Sequence, residues 1–292
     1  MSAFTGLEHV VREQESLAPY TWMRSGGVAE YFAEPTNHEE LSQLLRLAKK
    51  SGIPIRLLGG GSRVLVSDGG VEGVTIHLSA PAFNQIQVED TRLIAGGGTK
   101  LGQVVSTAVR EGLAGLESLV GIPGSVAGAA QGNADSHGTA MGQLTDQVTV
   151  MTFDGETETR GRDALRFSYR ESNLDELAIL EIQFVLEKGD PAELTRRMQK
   201  AWIVKRSTQP SGDFGIGRIF KDPQGLQAAD LIDQVGLKGF SVGGAKISEK
   251  NPNYIESMPG TKSQDVKELI ELATTRVHTA VGVSLECELE IW

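Results

Sequence analysis

Residues 53–78, IPIRLLGGGSRVLVSDGGVEGVTIHL, decide the fold because three short apolar runs in this stretch are separated by glycine-rich connections. The runs are rich in leucine and β-branched residues, which favour strands, and the glycines favour tight turns. The pattern predicts strand, tight loop, strand, turn and strand. A dinucleotide-binding fold of the Rossmann type needs a helix after its glycine loop. Residues 63–66, RVLV, favour a strand instead, so that fold is disfavoured.

The loop Gly59-Gly60-Gly61-Ser62 leaves two interpretations open. Successive backbone N–H groups in a glycine turn can form a concave site for an anion. The same residues also suit a tight hairpin that binds no ligand.

The segments on either side alternate between helical and strand patterns. Upstream, the pair Thr36-Asn37 is suited to cap a helix whose apolar residues follow helical spacing, with Gly52 as its stop. Downstream, residues 93–112 predict a strand, a second glycine loop and an amphipathic helix. Asp154-Gly155 predicts a hairpin turn.

The remaining third of the chain has the same mixed character. Residues 177–189 predict a strand, and Asp190-Pro191 predicts the start of a helix over 191–205. A helix ending at Gly236, two strands, a long helix from Ser263 and a terminal strand follow. The prediction is an α+β fold with subdomains at 1–84 and 85–189 and a third domain at 190–292.

Composition limits the classes of function. The chain has 292 residues, with 28 Lys+Arg against 38 Asp+Glu and a net charge of −10, which disfavours loose binding to nucleic acid or anionic membranes. Cys287 is the only cysteine, so no intrachain disulfide forms, and the five histidines have no metal-ligand spacing. No apolar segment suggests a signal peptide or a membrane span. We expect a cytoplasmic protein without a metal.

Four other segments are candidates for a site. Residues 115–138 carry glycine or alanine at nearly every other position, which favours a bound ligand over an irregular loop. Arg170, among the hydroxyl groups of FSYRES, offers a planar donor fork, although an ordinary surface arginine fits as well. Glu286, Glu288 and Glu290 are predicted on one face of a strand. Repulsion among them would raise the pKa of at least one carboxyl and create an acid, or, more simply, they form a charged face exposed to solvent. The fourth segment, GIGRIFKDP at 215–223, places an arginine after a glycine-rich turn.

Taken in chain order, seven segments resemble the UDP-N-acetylenolpyruvoylglucosamine reductase family, in its shorter subtype. They are YTWMRSGGVAEYFAEPT, LLGGGSRVLVSDGGVEGVTI, GLESLVGIPGSVAGA, FSYRES, QPSGDFGIGRIFKDP, LIDQVGLKGFSVGGAKISEKN and GVSLECELEI. They extend over residues 20–291, and seven motifs in one order are more specific than any single one.

The resemblance implies two FAD-binding subdomains of the vanillyl-alcohol-oxidase (PCMH) type followed by an α+β substrate domain. NADPH would reduce FAD, and hydride would then pass to the enolpyruvyl double bond of a UDP-sugar. The expected product is UDP-N-acetylmuramate, a precursor of peptidoglycan.

The resemblance also implies roles for single residues. Arg170 and Glu288 would stabilise the charge that develops on the substrate, and Arg218 stands where the family has its proton-donating serine. Tyr169, Lys221 and Lys246 are expected to bind the substrate. The residues expected to bind cofactor are Gly59, Gly60, Gly61, Ser62, Arg63, Gly121, Ile122, Pro123, Gly124, Ser125, Gly128, Asn133 and Lys205.

The sequence departs from the family at several of these places. A guanidinium stays protonated at ordinary pH, so Arg218 is a poor proton donor. The other departures are Arg63, Asp135-Ser136, Lys246, Asn251 and Glu290. Three hypotheses follow: an active reductase whose proton comes from water or a neighbouring group, a diverged paralogue that binds flavin or a nucleotide sugar without turnover, and a flavin enzyme for another anionic substrate.

Overall fold

The computed structural model describes residues 3–174, 178–212 and 214–292. These residues form seven α-helices and 21 β-strands. The helices are α1 (His38–Ser51), α2 (Leu101–Arg110), α3 (Val126–Gln131), α4 (Met141–Leu144), α5 (Pro191–Thr208), α6 (Ala228–Gln234) and α7 (Ser263–Val281). The strands are β1 (Val11–Ser16), β2 (Val28–Ala33), β3 (Ile55–Leu58), β4 (Val64–Leu65), β5 (Val71–His77), β6 (Ile86–Glu89), β7 (Arg92–Gly96), β8 (Leu113–Ala114), β9 (Asp135–Ser136), β10 (Thr139–Ala140), β11 (Thr145–Met151), β12 (Thr157–Gly161), β13 (Phe167–Ser168), β14 (Glu171–Ser172), β15 (Ala178–Val185), β16 (Glu187–Lys188), β17 (Gly215–Arg218), β18 (Ser241–Val242), β19 (Ala245–Ile247), β20 (Tyr254–Ser257) and β21 (Glu290–Ile291).

The chain divides into two compact units, each assembled from separate stretches of sequence. The first comprises Met1–Glu13, Glu30–Gly60 and Glu72–Val204, and the second comprises Gln14–Ala29, Gly61–Val71 and Lys205–Trp292. The predicted domain limits at 84/85 and 189/190 remain a prediction. They divide the chain into three consecutive segments, whereas each compact unit is assembled from separate stretches.

In the first unit, α1 packs on a sheet with the strand order β1-β2-β5-β3. Asn37 caps this helix, because its Oδ1 accepts a hydrogen bond from the Glu40 backbone at 2.9 Å. Gly52 ends the helix in the left-handed conformation, with φ 66°. β3, β4 and β5 follow the predicted order of strands, and β4 stands where a Rossmann fold would have a helix.

The first unit also contains an antiparallel sheet with the strand order β12-β11-β15-β7-β6. Ile182 and Phe184 of β15 pack with the apolar residues of α2 and α3, whereas Leu180 joins the core around α1. β15, whose pairing with β11 shifts register between Thr149 and Val150, therefore contributes to two apolar cores. The β11–β12 hairpin turns at Asp154-Gly155 as predicted. Leu177, predicted within this strand region, lies outside the described residues.

In the second unit, α6 and α7 pack with a sheet of order β17-β20-β19-β18 around one apolar core. The terminal segment lies between two other extended segments of this unit. The Glu288 backbone N–H donates to Ile219 O at 2.7 Å, and the Glu290 N–H donates to Arg63 O at 2.8 Å. β21 then pairs in parallel with β4. The α+β prediction is confirmed.

Two local predictions were wrong. The three terminal glutamates do not form one solvent face, because Glu286 and Glu290 are exposed whereas the Glu288 side chain is only 5% exposed. Glu288 is covered because neighbouring chain segments flank it on both sides. Residues 215–218 form β17 rather than a glycine turn, and Gly215 is needed because an added Cβ would lie 2.3 Å from the backbone oxygen of Met23.

Candidate active site

Two glycine-rich loops of the first unit meet backbone to backbone. A Cβ added to Gly60 would lie 2.4 Å from Gly124 Cα, and one added to Gly59 would lie 2.7 Å from Ser125 Oγ. Gly121 and Gly124 have φ of 73° and 102°, a conformation that side chains rarely adopt. We name Gly59, Gly60, Gly121, Gly124 and Ser125 the glycine cradle. Its shape depends on the absence of side chains.

The glycine cradle offers hydrogen-bond donors. The backbone N–H groups of Gly59, Gly60, Gly121 and Ser125 donate to no acceptor among the described residues. Backbone N–H groups gathered in this way suit a phosphate or diphosphate. The cradle therefore fits the diphosphate of a dinucleotide, which favours the ligand-binding interpretation of both loops.

Arg170 lies at the turn of the β13–β14 hairpin in the first unit, with φ 61°. The hairpin is tied to the end of α3: Asn133 Nδ2 donates to Ser168 O at 2.6 Å, and Ser172 Oγ donates to Gln131 O at 2.8 Å. The turn therefore has a fixed place. Both amide atoms of Asn133 are used structurally, since its Oδ1 accepts from the Gly142 N–H at 2.9 Å.

The Arg170 side chain lines an open cleft of about 660 Å³, which also contains Asp135 and three other cationic or aromatic side chains, Arg162, Arg166 and Tyr169. The Nη2 atom of Arg170 lies 2.9 Å from Asp135 Oδ1, and the Arg170 side chain is 12% exposed. Its Cζ lies 5.7 Å from the Tyr169 ring centroid, within the range of a cation–π contact. We call this space the Arg170 cleft.

In the second unit, the Glu288 carboxylate lies between two guanidinium groups. Arg63 Nε is 3.6 Å from Oε1, and Arg218 Nε is 3.5 Å from Oε2. Arg218 Nη2 also forms an ion pair with Asp222 Oδ2 at 2.7 Å. The other oxygen of Asp222 accepts from the Ala228 N–H at the start of α6, at 2.9 Å. Arg63, Arg218, Asp222 and Glu288 form what we call the Glu288 cluster.

The Glu288 cluster is a charge-balanced chain of two cations and two anions. Arg218 lies in β17, and its guanidinium is held by the carboxylates of Glu288 and Asp222. The adjacent Cys287 is partly buried, and burial raises the pKa of its thiol.

The two predicted substrate lysines lie in the second unit, each beside a glutamate. Lys221 Nζ is 2.6 Å from Glu286 Oε1, and Lys246 Nζ is 2.6 Å from Glu249 Oε1. The hydrogen bond that Lys246 donates to Glu249 raises the pKa of Lys246.

The remaining predicted cofactor residues are divided between the units. Ile122, Pro123 and Gly128 adjoin the glycine cradle in the first unit, and the Gly128 N–H donates to Ser125 Oγ at 3.3 Å. Gly61, Ser62, Arg63 and Lys205 belong to the second unit.

Three residues of these sites had no role in the sequence analysis. Asp135 was noticed only as a departure from the family pattern. Asp222 lies four positions after Arg218, and this short spacing was only a weak indication that the two side chains pair. Asn253 had none: its side chain accepts from the Phe220 N–H and donates to the Phe220 carbonyl, both at 2.9 Å, which holds the segment after Arg218.

No helix among the described residues combines the length and the apolar character needed to cross a bilayer. Within the same residues, no three histidine, cysteine or carboxylate side chains are grouped as metal ligands.

Two family models match the chain. An FAD-binding domain matches residues 29–160, and the C-terminal domain of UDP-N-acetylenolpyruvoylglucosamine reductase matches residues 209–292. The chain is 36% identical over 286 residues to the reductase of that name from Rhodopirellula baltica, covering 98% of this chain and 94% of the relative. It is 37% identical to that of Anoxybacillus flavithermus, with coverages of 96% and 94%. The crystal structure of the Thermus caldophilus enzyme superposes with a TM-score of 0.82 at 33% identity, covering 97% and 99% of the two chains.

The fold and the glycine cradle define a flavoprotein oxidoreductase with an FAD-binding fold of the vanillyl-alcohol-oxidase (PCMH) type, which confirms the predicted fold class. The similarity extends over nearly the whole chain rather than over the flavin domain alone. The chain belongs to the UDP-N-acetylenolpyruvoylglucosamine reductase family.

Proposed function

We propose that this protein reduces UDP-N-acetylglucosamine enolpyruvate to UDP-N-acetylmuramate with FAD and NADPH, in the synthesis of peptidoglycan precursors. The observation that carries this function is the similarity of nearly the whole chain to reductases of that name. A nucleotide-sugar substrate and NADPH are consistent with the expected cytoplasmic location.

The glycine cradle fits FAD because it combines close backbone approach with unused N–H donors for the diphosphate. Bound FAD would supply the hydride-transfer chemistry between NADPH and the substrate. Gly59 and Gly60 of one loop and residues 121–125 of the other are the proposed holders of this cofactor.

Arg170 and Glu288 are the residues proposed to act on the substrate. Hydride arrival at the enolpyruvyl double bond places negative charge on the adjacent carbon and on its carboxylate. A fixed guanidinium stabilises such charge without reorganisation, which suits Arg170 on its anchored hairpin. Glu288 is held by Arg63 and Arg218, so its carboxylate has a fixed direction.

Arg218 is proposed to be a positioning residue rather than the proton donor. Its guanidinium does not release a proton at ordinary pH, and its ion pairs with Glu288 and Asp222 restrict its movement. The proton needed at the carbon next to the carboxylate is then supplied by water or by a neighbouring group.

The first test is the visible spectrum of the purified protein before and after addition of NADPH and the enolpyruvyl UDP-sugar. We expect a yellow protein that oxidises NADPH only when this substrate is present, with one product molecule formed for each NADPH oxidised. A protein that stays free of flavin after reconstitution with FAD would contradict the proposal.

A second candidate, a flavin- or nucleotide-sugar-binding paralogue without turnover, follows from the resemblance of residues 209–223 to a family motif, which implies that Arg218 stands at the position of the proton-donating serine. The comparison of wild type with Arg218→Ser separates the two. Turnover by wild type that falls in the variant supports an altered mechanism that depends on Arg218. A wild type without turnover, together with an active Arg218→Ser variant, supports the paralogue that binds without turnover.

A further inference from the structure

The pair Asp135–Arg170 in the Arg170 cleft is unequal in burial. The Arg170 side chain is 12% exposed, whereas that of Asp135 is 40% exposed. A carboxylate so close to water loses little when it turns outward, but a guanidinium so far buried is costly without a counter-ion. Replacing Asp135 by another anion therefore costs less free energy than leaving Arg170 without a counter-ion.

The contact between them is close but incomplete. Asp135 Oδ1 lies 2.9 Å from Arg170 Nη2, yet this oxygen accepts no aligned hydrogen bond. Arginine binds carboxylates best through two parallel hydrogen bonds. A free carboxylate entering the cleft is able to adopt that geometry, whereas Asp135 is limited by its place on the two-residue strand β9.

Arg170 does not depend on Asp135 for its place in the structure. Asn133 and Ser172 tie the hairpin to the end of α3, and Asn173 holds its base through bonds to the Arg166 N–H at 2.8 Å and the Ala164 carbonyl at 2.9 Å. The Tyr169 ring lies beside the guanidinium. Loss of Asp135 therefore removes a charge and leaves the supporting contacts intact.

We propose that Asp135 is a resident counter-ion of Arg170 that the carboxylate of the arriving substrate must displace. The identity of that carboxylate, an enolpyruvyl group, rests on the proposed function. Because the ligand must first break the Asp135–Arg170 ion pair, the free energy of that pair is subtracted from the free energy of ligand binding. An uncharged analogue cannot replace Asp135, so the residue sets a preference for charged substrates and weakens the binding of the right one.

The test compares Asp135→Ala and Asp135→Asn with wild type in the flavin-loaded protein, measuring Kd for the enolpyruvyl UDP-sugar by calorimetry without NADPH, and then KM and kcat. Because a partly exposed ion pair has a modest strength, we expect Kd and KM to fall about fivefold in Asp135→Ala, with a smaller fall in Asp135→Asn. The value of kcat should stay within about twofold, since Arg170 remains in place.

Asp154→Asn is the matched control, because it removes the same charge from the first unit at an ion pair with Lys49 outside the cleft. It should leave Kd unchanged. A rise in Kd for Asp135→Ala, with unchanged melting temperature, would show that Asp135 supports Arg170 and would overturn the proposal, as would an unchanged Kd.

One readout does not depend on the proposed function. Phenylglyoxal modifies accessible arginines, and mass spectrometry of the digested protein gives the rate at Arg170 alone. We expect faster modification in Asp135→Ala than in wild type and stronger protection by phosphoenolpyruvate, which carries the same type of carboxylate. Equal or slower modification would overturn the counter-ion role even if the reductase assay fails in every variant.

Discussion

The glycine cradle and the Glu288 cluster are built in opposite ways. In the cradle, backbone atoms of two loops meet at distances that leave no room for a Cβ. In the cluster, four charged side chains from separate segments hold one another, with separations of 2.7 to 3.6 Å. A backbone site fails when volume is added, whereas a side-chain site fails when charge is removed. The effects of substitution should therefore be abrupt in the first and graded in the second.

The largest effect is expected for Gly60→Ala in the cradle. The new Cβ would lie 2.4 Å from Gly124 Cα, and backbone cannot move aside as a flexible side chain does. We expect a loss of about 1–3 kcal/mol in the free energy of unfolding and of most bound flavin, measured by urea denaturation and by the ratio of flavin to protein absorbance.

Gly102→Ala is the matched control for that prediction. Gly102 lies in α2, an added Cβ there meets nothing within 4 Å, and alanine favours helices, so the variant should be more stable by about 0.5–1 kcal/mol. Normal flavin content in Gly60→Ala would remove the contrast between the two kinds of site.

Glu288→Gln is expected to have the next largest effect. Glutamine keeps the shape of the side chain but removes the charge that lies between Arg63 and Arg218. We expect kcat to fall about 100-fold, as for the loss of one group that stabilises a transition state, while the protein remains folded. Stopped-flow measurement of flavin reoxidation by the substrate isolates the affected half-reaction. The exposed Glu290→Gln on the same segment should stay close to wild type, and equal losses in both variants would contradict a special role for Glu288.

A smaller effect on stability, which depends on pH, is expected at Glu40 in α1. The Glu40 carboxylate accepts a hydrogen bond from the backbone N–H of Thr36 before the helix. The hydrogen bond from the Thr36 N–H, aided by His9, lowers the pKa of Glu40 to about 2. Since the folded pKa is depressed, the stabilisation is complete above the ordinary pKa of 4.5 and is lost as pH falls toward 2. The melting temperature of Glu40→Gln should therefore be lower than that of wild type at pH 7, and the two should converge in acid. A difference in melting temperature that persists unchanged near pH 2 would contradict this role of the Glu40 charge.

The smallest effect concerns Cys287, the neighbour of Glu288. Burial raises the pKa of its thiol, and the Glu288 charge adds to that rise, so less thiolate is present at neutral pH. A thiol reagent should label Cys287 more slowly in the native protein than in urea, and somewhat faster in Glu288→Gln than in wild type. Equal rates in native and denatured protein would contradict this burial.

The fold could be predicted further than the site. The cap at Asn37, the stop at Gly52 and the hairpin at Asp154-Gly155 depend on local preferences of the backbone, and each has the predicted structure. The glycine loops were located for the same reason. Their close mutual approach was not predictable, because it joins segments that are far apart in the sequence.

The surroundings of Glu288 and Arg170 show why the arrangement of charges in the site could not be predicted. Period-two spacing placed Glu288 with Glu286 and Glu290, but its burial is determined by the segments that flank it. In the same way, the sequence identifies Arg170 as a donor and gives no sign that Asp135 is its partner. Resemblance to a family assigns roles to positions, whereas the pairing of charges follows only from the folded structure.

The placing of the terminal segment beside β4 has a consequence for synthesis on the ribosome. Arg63 and Glu288 bond across 225 positions, and the Ser67 N–H donates to Trp292 O at 2.8 Å. Residues 14–29 and 61–71 therefore emerge long before the chain that completes their unit. The nascent protein must keep these early segments available, and protected from proteases and from wrong partners, until β21 has left the exit tunnel.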